Sequence, residues 1–254
     1  MADNATLRKF ENPYTSIALM NAGKQGHIWQ SGLHITIQKD WKTYWRVPGD
    51  GGVPPQFDWT GSQNVASATV MMPLPHRFVD QNGEGIGYKT EVVLPVAVTP
   101  KNPDLPVHVS VKVFYAVCND ICVPVLAELK HTLEADTVSV ADGFLLKVAQ
   151  SSVPEENTDS PVQLVSMKVA EADKGSAIDV HLKGLGNPQE TDIFVEMEGI
   201  SYFRKPELIS TNGTDTVWRL SVDQPGQQAS LVGKKLRLTI SDGKTGLVRE
   251  GVLQ

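Results

Sequence analysis

The alternation of apolar and polar residues in short runs constrains the fold of this chain more than any other feature. Such alternation is typical of half-buried β-strands, and helix-period patterns are scarce. The chain has 16 prolines and 21 glycines, which punctuate these runs and favour turns between them. The pattern predicts an all-β protein with antiparallel sheets. The predicted strands are Ser16–Asn21, Leu33–Gln38, Ala66–Met72, Glu91–Val98, Val107–Tyr115, Val123–Lys130, Gln163–Val169, Ala177–Leu182, Asp192–Met197, Thr216–Val222, Leu236–Ser241 and Gly246–Val252.

A break after the sixth predicted strand divides the chain. Residues Ser139–Ala149 form the best helical segment, with Ser139 as the N-cap. The residues predicted on its apolar face are Phe144, Leu145, Val148 and Ala149. The polar, acidic and proline-interrupted stretch that follows has the composition of a linker. We therefore predict a β-sandwich domain at residues 1–137, a helix and linker at 138–160, and a smaller β-sandwich at 161–254.

Length and charge exclude several classes of protein. A chain of 254 residues is long enough for one large or two modest domains, each with its own core. The net charge of −6 argues against a nucleic-acid partner, which would normally face a basic surface. No run of about 18 apolar residues is present, so no transmembrane helix is expected. Two cysteines are too few for a disulfide scaffold or a cysteine-rich zinc module.

Both cysteines lie close together, at Cys118 and Cys122, between two strand-like runs. The intervening Asn119-Asp120 favours a turn, so a hairpin end would bring the two sulfurs together. A disulfide that closes so short a loop stabilises the folded protein by only about 2 kcal/mol, because it removes little conformational entropy from the unfolded chain. A 50-residue loop would give about 4 kcal/mol. The spacing therefore favours redox chemistry, and a structural cystine remains the alternative.

A metal site is a third interpretation of the cysteine pair. Two thiolates need two further ligands for tetrahedral zinc, and His131 is the nearest histidine in sequence. Soft thioethers suit Cu(I), which would draw on Met71, Met72 or His76. A copper-handling protein is therefore one rival function, and a non-catalytic adaptor with a structural cystine is another.

The charges near the cysteines in sequence do not favour a thiolate. No Lys, Arg or His lies between Val113 and Leu129, whereas Asp120 lies between the two cysteines. A neighbouring negative charge disfavours the anionic sulfur, so we expect no internally activated nucleophile. Such a pair would serve better as the target of a partner's thiolate than as the attacking group.

Four ordered blocks between about Ile28 and Lys130 resemble the N-terminal periplasmic domain of disulfide-reductase proteins of the DsbD and ScsB type. The blocks begin with Trp41–Gly52 and its following Pro54-Pro55 and Asp58-Trp59, and continue with Pro73–Phe78, Gly87-Tyr88 with Val93–Val96, and Val117–Pro124. The region after Pro161 is similar, more loosely, to the second immunoglobulin-like domain of the ScsB subgroup. The resemblance implies two immunoglobulin-like β-sandwiches in tandem.

The resemblance also implies a function. It predicts a periplasmic protein-disulfide reductase that passes electrons to oxidised client proteins without a bound cofactor. The donors and partners would be thioredoxin-like periplasmic proteins and a membrane-embedded electron-transfer domain, in the same chain or in a partner. Anchoring to the inner membrane would then use a region outside this chain, and copper tolerance would be an associated role.

Residue roles follow from the same resemblance. Cys118 and Cys122 would be the redox pair, with Cys122 forming the mixed disulfide and Cys118 resolving it. The loop Phe78–Gly87 corresponds to a cap over the cysteines. The residues predicted to form the cap or the partner-binding surface are Phe78, Tyr88, Tyr115 and Pro124, with Val123 beside them.

Overall fold

The computed structural model describes residues 7–80, 83–156, 159–170, 176–200, 202–222 and 231–254. The chain divides into two compact units, Met1–Val153 and Pro154–Gln254. Both are built from antiparallel sheets, so the predicted all-β architecture of two immunoglobulin-like sandwiches is confirmed. Among the described residues, no helix combines the length and the apolar content needed to cross a membrane.

The first unit contains eleven described strands in two sheets. One sheet has the order β1-β2-β3-β9-β6, and the other has the order β11-β10-β4-β8-β7 with β5 paired to β10. The strands are β1 (Lys9–Glu11), β2 (Thr15–Gln25), β3 (Ile28–Ile37), β4 (Lys42–Gly49), β5 (Gln56–Asp58), β6 (Val65–Val70), β7 (His76–Asp80), β8 (Gly83–Lys89), β9 (Glu91–Pro100), β10 (Val107–Cys118) and β11 (Cys122–Leu133). All six strands predicted for this unit are present.

Alternation along β10 and β11 positions the core of the first unit. Residues Val109, Val111, Val113, Tyr115 and Val117 of β10 are all buried, at 2% exposure or less. Because successive side chains of a strand point to opposite faces, the even-numbered residues of β10 point to the other side of the sheet. This outer side of the sheet carries both cysteines.

A short 3₁₀ turn (Ala135–Thr137) and one helix, α1 (Val140–Ser151), close the first unit. Ser139 is the N-cap, as predicted, and its hydroxyl accepts a hydrogen bond from the Asp142 N–H. The predicted apolar face is wrong in part, because Phe144 and Val148 are exposed. Ala149 is buried as predicted and Leu145 packs against the same cluster, which also contains Leu146 with Met20 and Val93 of the sheet. The helix therefore packs on the first unit.

The second unit contains seven described strands. One sheet has the order β12-β13-β16-β15 and the other the order β14-β17-β18. The strands are β12 (Gln163–Ala170), β13 (Ser176–Lys183), β14 (Asp192–Met197), β15 (Glu207–Asn212), β16 (Asp215–Val222), β17 (Lys235–Ser241) and β18 (Gly246–Val252), with a 3₁₀ turn at Pro188–Glu190. Their inner faces share one apolar cluster that includes Ile178, Val180, Leu220 and Leu238.

Candidate functional site

The two cysteines form a disulfide at the end of the β10–β11 hairpin. The strands pair from Val107 opposite Leu133 to Cys118 opposite Cys122, so the register brings the two sulfurs to the same side. The S–S distance is 2.11 Å and the two Cα atoms are 4.1 Å apart. The predicted hairpin and its turn are therefore present, and the pair is oxidised in this structure.

The two sulfur-bearing residues differ in their exposure. Cys118 is fully buried, whereas Cys122 is exposed at the start of β11. A thiolate from another protein can attack a disulfide only at a sulfur that it reaches. Of the two cysteines, Cys122 is therefore the one that is accessible from outside the protein.

Aromatic side chains cover the buried cysteine. Phe78 of β7 and Tyr44 of β4 pack in one cluster with Ala116 and Cys118. Their ring centroids are 6.4 Å apart, and the Tyr44 hydroxyl oxygen is 4.0 Å from the Cys122 sulfur. Phe78, predicted as a cap residue, thus lies beside the disulfide, on a strand of the sheet. The predicted cap loop includes residues 81 and 82, which lie outside the described residues.

An exposed apolar strip begins at the disulfide and follows β11. Ile121 in the turn is 63% exposed and Leu126 is 68% exposed, with the exposed Pro124 between them. Cys122, Pro124 and Leu126 alternate along the strand and so point to the same side, over about 13 Å. The strip ends where Glu128 pairs with Lys130 at 2.8 Å. Pro124 therefore lies on the exposed side of β11 that also carries Cys122.

Two of the predicted partner-binding residues point into the core instead. Tyr115 is 0% exposed, and its hydroxyl is hydrogen-bonded to that of Thr15 at 3.1 Å. Tyr88 is also buried and donates a hydrogen bond to the Pro73 carbonyl oxygen at 2.7 Å. Burial raises the pKa of both phenols. Their placement on a docking surface is therefore wrong, because odd-numbered residues of β10 and even-numbered residues of this part of β8 face inward.

The structure brings lysines to the disulfide that the local sequence did not indicate. Lys42 of β4 lies directly opposite Cys118 of β10, and Lys89 of β8 lies opposite Lys42. The two lysines are separated from the cysteines by at least 29 residues in sequence. The sequence near the cysteines therefore gives no sign of the two lysines, and the same holds for Tyr44. Only the pairing of β4 with β10 and β8 would have revealed the three residues.

The residues considered as metal ligands are spread over several elements. Among the residues that the structure describes, no three His, Cys, Asp or Glu side chains come together in a group that could hold a metal ion. Met72 is buried, His76 is exposed at the start of β7, and His131 is buried in β11. Both ring nitrogens of His131 lack a hydrogen-bond partner among the described residues.

Comparison with known proteins agrees with the resemblance stated above. Residues 14–134 match the family model described as "Thiol:disulfide interchange protein DsbD, N-terminal". Residues 152–252 match the model "Domain of unknown function (DUF8393)". No curated protein sequence matched the chain.

Among solved structures, the crystal structure of the N-terminal periplasmic domain of ScsB from Proteus mirabilis is similar to the whole chain. The TM-score is 0.74 at 21% sequence identity, and the match covers 99% of each chain. The predicted resemblance to the DsbD and ScsB type is thereby confirmed. The family match and the bonded cysteine pair together support a role in thiol–disulfide exchange.

Proposed function

We propose that this chain is a periplasmic disulfide-exchange relay, the electron-accepting and electron-donating part of a protein-disulfide reductase. The observation that carries the proposal is the asymmetry of the Cys118–Cys122 disulfide, with one sulfur exposed and the other buried. A structural cystine does not need one accessible sulfur, whereas a relay that reacts with a docked protein does. The family match of residues 14–134 supports the same chemistry.

The reduction of the pair would proceed in two exchange steps. A donor thiolate attacks the Cys122 sulfur, the S–S bond breaks, and its electron pair stays on the Cys118 sulfur, which then takes up a proton. The donor's second thiolate attacks the donor sulfur of this mixed disulfide and releases Cys122 as a thiolate. The donor leaves as a disulfide, and two electrons have moved to the Cys118–Cys122 pair.

Delivery to an oxidised client would reverse the roles. The Cys122 thiolate attacks one sulfur of the client disulfide and forms a mixed disulfide with it, while the client S–S bond breaks and the other client sulfur leaves as a thiolate that takes up a proton. Cys118 then loses its proton and attacks the Cys122 sulfur, which re-forms the Cys118–Cys122 bond and releases the reduced client. Cys122 thus contacts every partner, whereas Cys118 reacts only within the chain.

The partner that we propose is a thioredoxin-like protein, either a soluble periplasmic one or a domain of the membrane reductase. It would lie over Cys122 and along the apolar strip of Ile121, Pro124 and Leu126. Exposed apolar side chains beside a reactive group are typical of interaction sites, and the described charges at Glu128 and Lys130 would lie at the rim.

The test is the trapping of a mixed disulfide. The oxidised protein is mixed with a thioredoxin-like protein that retains only its attacking cysteine, and the product is mapped by peptide mass spectrometry. We expect a covalent complex joined through Cys122. The C118S and C122S variants, which hold no disulfide, serve as matched controls and should give no complex.

The outcome also separates the relay from the adaptor with a structural cystine. Structural disulfides usually have reduction potentials below about −300 mV and resist biological thiols. A wild-type pair that stays oxidised with an intact, reduced thioredoxin-like protein would refute the relay. Attachment at Cys118 would refute the assignment of roles to the two cysteines.

A further inference from the structure

One cross-strand row on the outer side of the six-stranded sheet joins the disulfide to two lysines. The row runs from Cys122 of β11 to Cys118 of β10, then to Lys42 of β4 and Lys89 of β8. Directly opposed residues of antiparallel strands point to the same side, with Cβ atoms about 4.5–5.5 Å apart. Lys42 is therefore the immediate cross-strand neighbour of the buried cysteine.

Both ammonium groups are held over one aromatic ring next to the disulfide. The Nζ atoms of Lys42 and Lys89 are 5.1 Å and 5.4 Å from the centroid of Phe78. Phe78 packs in the same cluster as Cys118. Lys42 is 5% exposed, whereas Lys89 is exposed. The fold thus collects two positive charges beside a sulfur whose neighbours in sequence carry none.

The chemistry at Cys118 needs such charges. When a thiolate attacks Cys122, the electron pair of the broken S–S bond goes to a sulfur that is fully buried among Tyr44, Phe78 and Ala116. Burial disfavours an anionic sulfur, and a poorer leaving group slows the exchange. A nearby ammonium favours the same anion.

The other polar groups around the pair do not supply a positive charge. The hydroxyl of Tyr44 is not a basic group, and Asp120 in the exposed turn is an acidic residue. Arg77 and Glu84 form an ion pair with each other, and the alternation of β7 and β8 directs both to the opposite side of the sheet from Phe78. Lys42 and Lys89 are the two cations that strand pairing places in the same row as the disulfide.

We propose that Lys42, assisted by Lys89, stabilises the Cys118 thiolate that forms when a partner attacks Cys122. The inference rests on the proposed relay function and adds to it the groups that make the buried sulfur a competent leaving group. Lys42 is a positioning residue in this scheme, because it acts through the charge of Cys118 and exchanges no atoms. Lys42 also provides the basic group that the sequence near the cysteines lacks.

The test measures reduction by dithiothreitol under pseudo-first-order conditions from pH 6 to pH 9. We expect K42M to be reduced about three- to tenfold more slowly than wild type, K89M about twofold more slowly, and K42R at close to the wild-type rate. K24M is the matched control, since Lys24 also lies over an aromatic ring, that of Trp29 at 4.8 Å, in the other sheet of the unit. It should react like wild type.

A second measurement detects the charge on the sulfur itself. In the C122S variant, the absorbance of the thiolate near 240 nm reports the titration of Cys118. We expect K42M to raise the pKa of Cys118 by about one unit in this background, and K42R to leave it close to its value with lysine. If Lys42 had only a structural role, K42M would not raise the pKa of Cys118 while K42R left it unchanged.

The results separate this inference from the proposed function. Equal dithiothreitol rates and equal Cys118 titrations in folded K42M and wild type would overturn the role of Lys42, even if thioredoxin-like proteins still reduce the pair. If K42M does not fold, K89M decides, because its lysine is exposed, and an unchanged rate in that variant overturns the proposal. Slower reduction of the lysine variants alongside failure with every thioredoxin-like protein would instead refute the relay.

Discussion

The ring of Phe78 occupies the space that a side chain on Gly85 would need. The two residues are directly opposed on β7 and β8, and a Cβ atom added to Gly85 would come within 2.2 Å of the ring. The glycine thus lets the ring lie flat across the sheet and reach Tyr44 and Cys118. The shielding of the Cys118 sulfur therefore depends on Gly85 as well as on Phe78.

The first prediction concerns this close approach. G85A should displace the Phe78 ring, lower the free energy of unfolding by about 1–3 kcal/mol, and open Cys118 to solvent. Denaturant unfolding measures the first effect, and alkylation of Cys118 in the C122S background measures the second. G186A is the control, because a Cβ there meets no atom within 4 Å. Unchanged stability and alkylation in G85A would contradict the account.

The second prediction removes the ring and keeps the glycine. Phe78 is 9% exposed and packs against the site, so F78A should cost about 2–4 kcal/mol of unfolding free energy. With its cover gone, Cys118 in the C122S background should react with iodoacetamide at least tenfold faster. F78L, which fills part of the space, should give intermediate values. If F78A leaves alkylation as slow as before, another group shields the sulfur.

The alternation of apolar residues was sufficient to predict most of β10 and β11 and the hairpin that joins the cysteines. It did not predict β4, β7 and β8, which complete the sheet beside the disulfide. The same alternation contained a signal that the sequence interpretation did not use. Tyr115 and Cys118 differ in parity along one strand, so they cannot point to the same side of the sheet. The sequence therefore already indicates that Tyr115 and Cys118 lie on opposite sides of the sheet, which argues against a docking role for Tyr115.

The charges at the site illustrate what the sequence could not supply. Lys42 lies opposite Cys118 only because β4 pairs with β10, across 76 positions of the chain. A pairing of this kind depends on the packing of the whole unit, and no short-range pattern near either residue encodes it. The predicted apolar face of α1 was wrong in part for a similar reason. Which side of the helix is buried depends on the sheet that it covers, at Met20 and Val93.

The third prediction concerns the boundary between the units. Fragment 1–153 retains α1, which buries Leu146 against the sheet, whereas fragment 1–137 ends before it. We expect 1–153 to unfold in one transition and 1–137 to be less stable by about 2–3 kcal/mol, because apolar surface of the sheet becomes exposed. Thermal and denaturant unfolding of both fragments measures this difference. Equal stability would place the helix outside the first unit, as the sequence alone had suggested.

A related prediction concerns the second unit. Residues 154–254 form a compact unit with a core of their own, so the fragment should fold when expressed alone. Fragment 1–153 should then be reduced by dithiothreitol at the rate of the full chain, since the disulfide and its cover lie within it. Circular dichroism and the reduction assay test the two statements. An unfolded 154–254 fragment would show that the division at Pro154 is not a folding boundary.

The last prediction concerns the buried His131. Burial, together with the positive charge of Arg8, lowers the pKa of its imidazole, while Asp142 opposes this in part. The unfolded chain therefore takes up a proton first as the pH falls through about 6.5, so the native state loses stability below that pH and keeps it above. The slope in unfolding free energy from this group is at most about 1.4 kcal/mol per pH unit, and H131L should remove it. Urea unfolding between pH 5 and pH 8 measures the slope, with H27Q at an exposed histidine as the control. A variant H131L with the wild-type slope would assign the acid sensitivity to other groups.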